Sequence, residues 1–139
     1  MNLLEIRDLE IKYITDEASI NAVNGISLAI GEQECVGLVG ETGAGKTTTA
    51  KGIMGLIPDP PGRVTGGEIL FRGEDLLKKS PKEMRQIRGN KISMIFQDPM
   101  SALDPTMRIV EQIAEVILLH NECSVAEAQV RAIEILEKV

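Results

Sequence analysis

The stretch GETGAGKTT, residues 40–48, decides how the rest of this sequence is interpreted. It matches the pattern G-x-x-x-x-G-K-[ST], the Walker A or P-loop pattern of phosphate binding. A loop that wraps phosphate must turn its backbone N–H groups inward, and glycine tolerates the positive φ and the close approach that this requires. We therefore predict that this loop binds a triphosphate. The predicted binding residues are Gly40, Glu41, Thr42, Gly43, Ala44, Gly45, Lys46, Thr47 and Thr48.

The side chains that close the loop supply a positive charge and two hydroxyl groups. Lys46 is expected to reach the β and γ phosphates, which makes it a catalytic candidate. The Thr47 hydroxyl is a predicted Mg²⁺ ligand, and Thr48 is expected to donate to an α-phosphate oxygen.

The residues on either side of the loop provide the setting that the motif requires. Upstream, the apolar run QECVGLVG at 33–40 predicts a β-strand, and residues 46–56 carry apolar positions at helical spacing. The order is therefore strand, glycine loop and helix. The N-terminus of such a helix favours an anion, because its dipole and free N–H groups face the loop.

Composition limits the class of protein. The chain has 139 residues, of which 43% are hydrophobic, so it is the size of one domain and can bury a core. A net charge of −6 with scattered basic residues argues against a nucleic-acid partner. Cys35 and Cys123 lack CxxC spacing, so we predict neither a disulfide scaffold nor a zinc site, and a reducing cytoplasm. The first ten residues do not resemble a signal peptide, and no apolar run approaches the length of a membrane span.

The remaining sequence predicts alternating strands and helices. The two C-terminal helices carry apolar stripes that predict core packing, and Ser124 with Glu127 predicts a capping box. Strands are predicted at 3–13, 25–30, 68–73 and 91–97, a proline- and glycine-rich connector at 57–67, and helices from Ser80 to about Arg88, from Thr106 onward and from Ser124 onward.

The stretch SMIFQD, residues 93–98, is where the second half of a nucleotide site is expected. An apolar strand that ends in Asp98 could be a Walker B element, with the carboxylate on Mg²⁺. Alternatively, Gln97 is the working residue, because its side-chain amide can contact both Mg²⁺ and water. A third interpretation is that both residues only begin a turn before Pro99.

At this point the sequence resembles a known family, the ATP-binding subunits of ABC transporters, and most closely the peptide and nickel importer group. The resemblance runs from about Leu3 to the end of the chain. Beside GETGAGKTT, it rests on INAVNGISLAIGEQECVGLVG (20–40), GGEILFRGEDL (66–76) and MIFQDPMSALDPT (94–106). It implies that Gln97 is the Q-loop residue, which contacts Mg²⁺ and water and couples the site to the membrane subunit; Asp98 is then no longer the Walker B acid. It also places Tyr13 at the adenine-stacking position, although a core or edge-strand tyrosine is the alternative.

The resemblance implies an α/β fold, a P-loop NTPase (RecA-like) core with an N-terminal antiparallel β region and the start of a helical subdomain. The implied organisation of this incomplete ABC ATPase domain is a β region at 1–32, the P-loop core to the Q-loop at 33–99, and the start of the helical subdomain at 100–139. The implied cofactors are ATP and Mg²⁺. The implied partners are membrane-spanning permease subunits and a second ATP-binding subunit, at the inner face of the cell membrane.

Three motifs of that family do not occur in these 139 residues: the LSGGQ signature, a Walker B strand ending in Asp-Glu, and a switch histidine. His120, the sole histidine, is expected at the surface. We therefore expect this chain to bind Mg-ATP with little or no hydrolysis. We also expect it to self-associate, because missing strands would expose an apolar sheet edge. The alternatives are a compact P-loop NTPase or kinase that uses Asp98 for Mg²⁺, and a non-catalytic nucleotide-binding module.

Overall fold

The computed structural model describes residues 2–139 and, within that range, every side chain except those of Pro99 and Ser101. The chain divides into two compact units, of which the first ends at Met84 and the second begins at Arg85. Each unit has a hydrophobic core of its own. The division falls inside the stretch 33–99 that we predict as the P-loop core.

The N-terminal unit is built on an antiparallel four-stranded sheet with the order β2-β1-β3-β4. β1 contributes more core side chains than any other element of this unit, because it lies between two partners. The strands are β1 (Asn2–Ile14), β2 (Ser19–Gly31), β3 (Gly62–Phe71) and β4 (Glu74–Asp75).

A bulge in β1 explains how its apolar residues share one face despite their uneven spacing. Ile6 and Leu9 are three positions apart and both almost fully buried, which a regular strand of period two does not allow. Asp8 adopts a positive φ of 45°, and the register with β2 shifts between Ile6 and Leu9. The Asp8 backbone N–H donates to Ser27 Oγ at 2.8 Å, which satisfies the group that the bulge releases from the ladder.

Helix α1 (Lys46–Ile53) packs on this sheet through a glycine. A Cβ atom on Gly52 would lie 2.9 Å from Ile11 Cδ1, so no larger residue fits between the helix and β1 without displacement. After β4 come a short 3₁₀ helix (Leu76–Lys78) and helix α2 (Pro81–Ile87). The predicted cap of α2 is confirmed, because the Ser80 backbone N–H donates to Glu83 Oε2 at 2.8 Å.

The C-terminal unit is helical. It contains α3 (Pro99–Ala102), α4 (Ile109–His120) and α5 (Val125–Leu136). Ala114 of α4 and Ala128 and Ala132 of α5 form its buried centre, since small side chains let the two helix backbones approach. Partly buried residues surround this centre: Val110, Ile113, Ile117, Leu118 and Cys123.

The predicted apolar stripe of α4 is confirmed as core, whereas the prediction for α5 is only partly correct. Val125, Ile135 and Leu136 of the predicted stripe are exposed. The predicted capping box is confirmed: the Ser124 backbone N–H donates to Glu127 Oε2 at 2.8 Å, and the Glu127 N–H donates to Ser124 Oγ at 3.3 Å.

Two predicted strands are wrong. Residues 34–40 have no regular secondary structure, and residues 91–97 contain only one isolated bridge, between Arg88 and Ile92. An apolar run becomes a strand only when neighbouring strands accept its backbone hydrogen bonds, and within residues 2–139 no strand pairs with either segment. Most of their side chains are consequently exposed, including Val39 at 93% and Ile95 at 98%, whereas Ile92 and Met94 are half-buried.

Several predicted boundaries also change, and β2 begins at Ser19 rather than at residue 25. β3 already begins at Gly62, so the second half of the predicted connector 57–67 is strand, paired with β1. Helix α4 begins at Ile109 rather than at Thr106, because Asp104 Oδ1 accepts hydrogen bonds from the Thr106 N–H at 2.8 Å and hydroxyl at 2.6 Å. These bonds hold the residues before α4 in a turn.

None of the helices in the described part of the chain is both long and apolar enough to cross a membrane.

Candidate functional site

The predicted phosphate loop adopts the left-handed backbone that its glycines allow. Gly43 and Gly45 both have a φ of 86°, whereas Gly40 lies outside the left-handed region. Gly45 is also constrained by space, because a Cβ atom there would lie 2.3 Å from the carbonyl oxygen of Ala22 on β2. Two of the three predicted glycines therefore need positive φ, and Gly45 additionally allows the loop to approach the sheet.

Lys46 is the first residue of α1 and closes the loop on itself. Its Nζ donates to the carbonyl oxygens of Gly40 and Glu41, both at 2.6 Å. The ammonium group therefore lies at the mouth of the loop, beside the two residues that begin the motif. A point charge in this place attracts phosphate oxygens.

The three threonines that follow differ in exposure. Thr47 is exposed and Thr48 half-buried, so both hydroxyl groups can reach a ligand at the N-terminus of α1. Thr49 is buried, and both its N–H (2.8 Å) and its hydroxyl (2.9 Å) donate to the Gly45 carbonyl oxygen. Sequence reasoning missed Thr49 as a residue that fixes the end of the loop. The signal that could reveal it is a threonine four residues after the helix N-cap, where its hydroxyl reaches back one turn.

An open pocket of about 470 Å³ lies between the phosphate loop and β2, which is within the usual size of small-molecule sites. Two asparagine residues of β2, the loop and the start of α1 are among the elements that line it. The lining residues are Asn21, Ala22, Val23, Asn24, Ile26, Leu38, Val39, Gly43, Ala44, Lys46 and Thr49.

The donor set at α1 fits Mg²⁺ but not a metal held by protein groups alone. The exposed Thr47 hydroxyl is a hard oxygen donor, and Mg²⁺ normally completes its shell with phosphate oxygens and water. Within residues 2–139, no group of three or more His, Cys, Asp or Glu side chains is arranged to hold a metal ion.

Gln97 and Asp98 belong to the C-terminal unit, whereas the phosphate loop belongs to the N-terminal unit. Gln97 is exposed and lies in a bend. Asp98 is the N-cap of α3, and its Oδ1 accepts a hydrogen bond from the Met100 N–H at 3.0 Å. This capping bond gives Asp98 a structural role that needs no metal.

Tyr13 lies near the end of β1, is half-buried and packs on β3. A Cβ atom on Gly62 would be 2.8 Å from Tyr13 Cε1, so the ring covers this glycine. Tyr13 does not line the pocket beside the phosphate loop. Its adenine-stacking role stays a prediction.

A second residue that sequence reasoning missed is Gln112 on α4. Its Oε1 accepts from the Asp104 N–H at 3.0 Å, and its Nε2 donates to the carbonyl oxygens of Asp104 at 2.9 Å and Met107 at 3.0 Å. Hydrogen bonds from the Thr106 hydroxyl and N–H hold the pKa of Asp104 below its usual value. The sequence offers one signal for this role of Gln112: a glutamine in the first turns of a helix that follows Asp-Pro-Thr.

His120, which was expected at the surface, is only partly exposed. It is half-buried, and its Nε2 lies 2.9 Å from the Arg88 carbonyl oxygen. A carbonyl only accepts, so Nε2 carries the proton. The Nδ1 atom is buried without a hydrogen-bond partner among the described residues.

Comparison with known proteins adds to this geometry. Residues 23–139 match the family model described as ABC transporter. Among curated proteins, the chain is 47% identical over 137 residues to the oligopeptide transport ATP-binding protein OppD of Bacillus subtilis, covering 99% of this chain and 38% of that protein. It is 42% identical to the dipeptide transport ATP-binding protein DppD of B. subtilis (99% and 40%) and 43% identical to the probable D,D-dipeptide transport ATP-binding protein DdpD of Escherichia coli (99% and 42%).

The chain thus spans about two fifths of the length of these relatives. Among solved structures, it is similar to the dimeric structure of MJ0796, a bacterial ABC transporter cassette, with a TM-score of 0.80, 26% identity and coverage of 96% of this chain and 56% of that one. A second structure of that cassette, a post-hydrolysis state bound to ADP and Pi, gives a TM-score of 0.77 at 24% identity, with the same coverage. The predicted fold class is confirmed: an α/β fold with an N-terminal antiparallel sheet, which covers part of an ABC cassette.

Proposed function

Because the chain belongs to the ABC transporter family, we propose that it is the N-terminal part of the ATP-binding subunit of a peptide importer, with nickel as the less favoured cargo. The observation that carries the proposal is the phosphate loop. Gly43 and Gly45 adopt the left-handed backbone of an anion-binding loop, and Lys46 lies at its mouth. The relatives named above, which are peptide transport proteins, support the choice of cargo.

In this proposal the loop residues Gly40 to Thr48 bind the triphosphate of Mg-ATP, and Tyr13 stacks on the adenine. Lys46 neutralises charge at the β and γ phosphates. Thr47 and Gln97 are the protein ligands of Mg²⁺, which when bound would spread the charge of the phosphates. Gln97 also contacts the attacking water and couples the site to the membrane subunit.

The proposed partners are membrane-spanning permease subunits and a second ATP-binding subunit, identical or different. The cassette structure in the comparison is a dimer, which supports pairing of two ATP-binding subunits. The proposed location is the cytoplasmic face of the cell membrane. Full-length protein in such an assembly would hydrolyse ATP to drive uptake.

The 139 residues alone are proposed to bind Mg-ATP with little or no hydrolysis, because the signature, the Walker B acid pair and the switch histidine do not occur among them. Titration calorimetry with Mg-ATP, together with a phosphate-release assay, tests this. We expect saturable binding and no release above background. Failure to bind Mg-ATP would contradict the proposal.

A compact NTPase that uses Asp98 for Mg²⁺ is the alternative that the same assay distinguishes. It requires phosphate release or transfer by the 139-residue chain, lost in Asp98→Ala and kept in Gln97→Ala. The capping bond from Met100 N–H to Asp98 Oδ1 supports a structural role for this carboxylate instead. A non-catalytic module would bind Mg-ATP and show no hydrolysis even as full-length protein with its membrane partners.

A further inference from the structure

The turn between α3 and α4 is held by one glutamine side chain. Gln112 uses both ends of its amide: Oε1 accepts from the Asp104 N–H, and Nε2 donates to the carbonyl oxygens of Asp104 and Met107, all within 3.0 Å. An amide is the only neutral side-chain group that can accept and donate twice in this way. The turn is therefore tied to the body of α4 at both its first and its last residue.

The turn is also closed internally. Asp104 Oδ1 accepts from both the N–H and the hydroxyl of Thr106, at 2.8 and 2.6 Å. The Met107 N–H also donates to the Asp104 carbonyl oxygen at 3.3 Å, so six hydrogen bonds join Asp104, Thr106, Met107 and Gln112. Without Gln112 the three internal bonds would remain, but the turn would lose its three bonds to the helix.

The turn is linked to Gln97 by a short stretch of chain. Leu103 directly precedes Asp104, and α3 (Pro99–Ala102) directly precedes Leu103. The N-cap of α3 is Asp98, which is fixed by its bond from the Met100 N–H at 3.0 Å. Gln97 directly precedes this cap. Only Leu103 and the four residues of α3 separate the turn from this N-cap, so we expect a shift of the turn to move α3 and Gln97 with it.

From this arrangement we infer that Gln112 is a positioning residue: it fixes the Asp104–Met107 turn to α4 and thereby holds Gln97 in place for its role at the nucleotide. The inference rests on the proposed function of Gln97. It assigns Gln112 no contact with nucleotide or water.

Amide hydrogen exchange tests whether the Gln112 side chain holds the Asp104–Met107 turn, an arrangement we call the clamp. In Gln112→Met the side chain keeps its length and loses all three hydrogen bonds. We expect the Asp104 amide to exchange roughly fivefold faster or more, the gain that corresponds to losing about 1 kcal/mol of local protection. Amides in the middle of α5 should be unaffected. The matched control is Gln129→Met, since Gln129 is exposed on α5.

Gln112→Glu separates hydrogen bonding from packing. Glutamate has nearly the same shape and can still accept from the Asp104 N–H, but its carboxylate cannot donate to the carbonyl oxygens of Asp104 and Met107. It should therefore loosen the turn at Met107, which is read as faster exchange of the Met107 amide, the donor to the Asp104 carbonyl oxygen at 3.3 Å. Normal exchange of the Met107 amide in Gln112→Glu would mean that shape alone holds the turn, and would overturn the role of Gln112.

Steady-state ATP hydrolysis by the full-length protein, assembled with its membrane subunits, tests the positioning role. Gln112→Met should lower kcat about tenfold or more with KM for Mg-ATP within about twofold, as expected for a displaced group near the chemistry. Combined with Gln97→Ala, it should cause no further loss beyond about twofold, because both changes remove the same contribution. Gln129→Met should leave both constants unchanged.

The outcomes are distinguishable. Fast exchange at Asp104 together with a low, non-additive kcat supports the inference. A normal kcat in Gln112→Met, or losses that multiply with those of Gln97→Ala, would overturn it while wild-type hydrolysis kept the proposed function intact. Wild-type protein without any hydrolysis would instead overturn the proposed function, and this inference with it.

Discussion

At the scale of single residues, the phosphate loop depends on glycine for two separable reasons. Gly43 and Gly45 have the same φ of 86°, so a side chain at either position would strain the backbone. Only Gly45 also faces a neighbour, the Ala22 carbonyl oxygen, while the space around Gly43 is open to 4 Å. The two positions therefore allow strain and crowding to be measured apart.

We predict that Gly45→Ala destabilises the N-terminal unit more than Gly43→Ala. Each change costs about 1–2 kcal/mol for a left-handed alanine, and Gly45→Ala adds the clash with Ala22. Urea unfolding of the 139-residue chain measures both. Gly37→Ala is the control, because nothing lies within 4 Å and φ is not left-handed there. Equal losses at the two positions would contradict the predicted role of the close contact.

Lys46→Ala should weaken Mg-ATP binding about 10- to 100-fold, because a hydrogen bond to a charged group contributes roughly 1.5–3 kcal/mol to binding. Lys51→Ala on the same helix removes the same charge farther from the loop and should change the affinity little. Titration calorimetry measures both. Unchanged affinity in Lys46→Ala would count against the assignment of the P-loop.

At the scale of elements, the helical unit is held together by small side chains. Ala128 and Ala132 are fully buried where α5 meets α4. Leucine at position 132 should destabilise the unit by about 1–3 kcal/mol through overpacking. Ala126→Leu places the same side chain at an exposed position of α5 and is the control. Thermal unfolding followed by circular dichroism compares Ala132→Leu with Ala126→Leu. Equal midpoint temperatures for the two variants would contradict tight packing at Ala132.

The cap of α5 should respond to pH. Hydrogen bonds from the Ser124 N–H and hydroxyl hold the pKa of Glu127 below its ordinary value of 4.5. The stabilisation is therefore complete above that value and is lost as the pH falls through the lower folded pKa. Ser124→Ala should raise the pKa of Glu127 toward 4.5, measured by NMR titration of the carboxyl carbon. An unchanged pKa would show that the cap does not set it.

The elements differ in how far the sequence predicts them. Local signals were sufficient for the phosphate loop, for α1 and for the caps at Ser80 and Ser124, because their hydrogen bonds close within a few residues. The runs 33–40 and 91–97 read as strands, yet a strand depends on partners elsewhere in the chain, which periodicity does not report. The hydrogen bonds of the Gln112 side chain were not predicted for a related reason, since they reach back up to eight residues along the chain.

At the scale of the whole molecule, the N-terminal sheet and the helical unit account for the buried core, while the segments 33–40 and 91–97 lie outside every sheet and are mostly exposed. Val36, Leu38 and Val39 precede the phosphate loop, and Ile95 and Phe96 precede Gln97; all five are exposed. Clusters of exposed apolar side chains with unpaired backbone favour association with other chains.

We therefore predict that the 139-residue chain self-associates. Sedimentation equilibrium should give a mass above the monomer value of 15.1 kDa that rises with concentration. Val39→Ser and Ile95→Ser should reduce it, whereas Val130→Ser, at an exposed site on α5, should not. A mass of 15.1 kDa at every concentration would exclude the prediction.

The bonds from Lys46 to Gly40 and Glu41 have a consequence for the thermodynamics of nucleotide capture. If the ammonium group turns to the phosphates, it must give up one or both carbonyl partners, so binding is an exchange of acceptors rather than the addition of a new contact. The contribution of Lys46 to the binding enthalpy then reflects the difference between phosphate and carbonyl as partners. Until that exchange, the same lysine acts as an internal tether across its own loop.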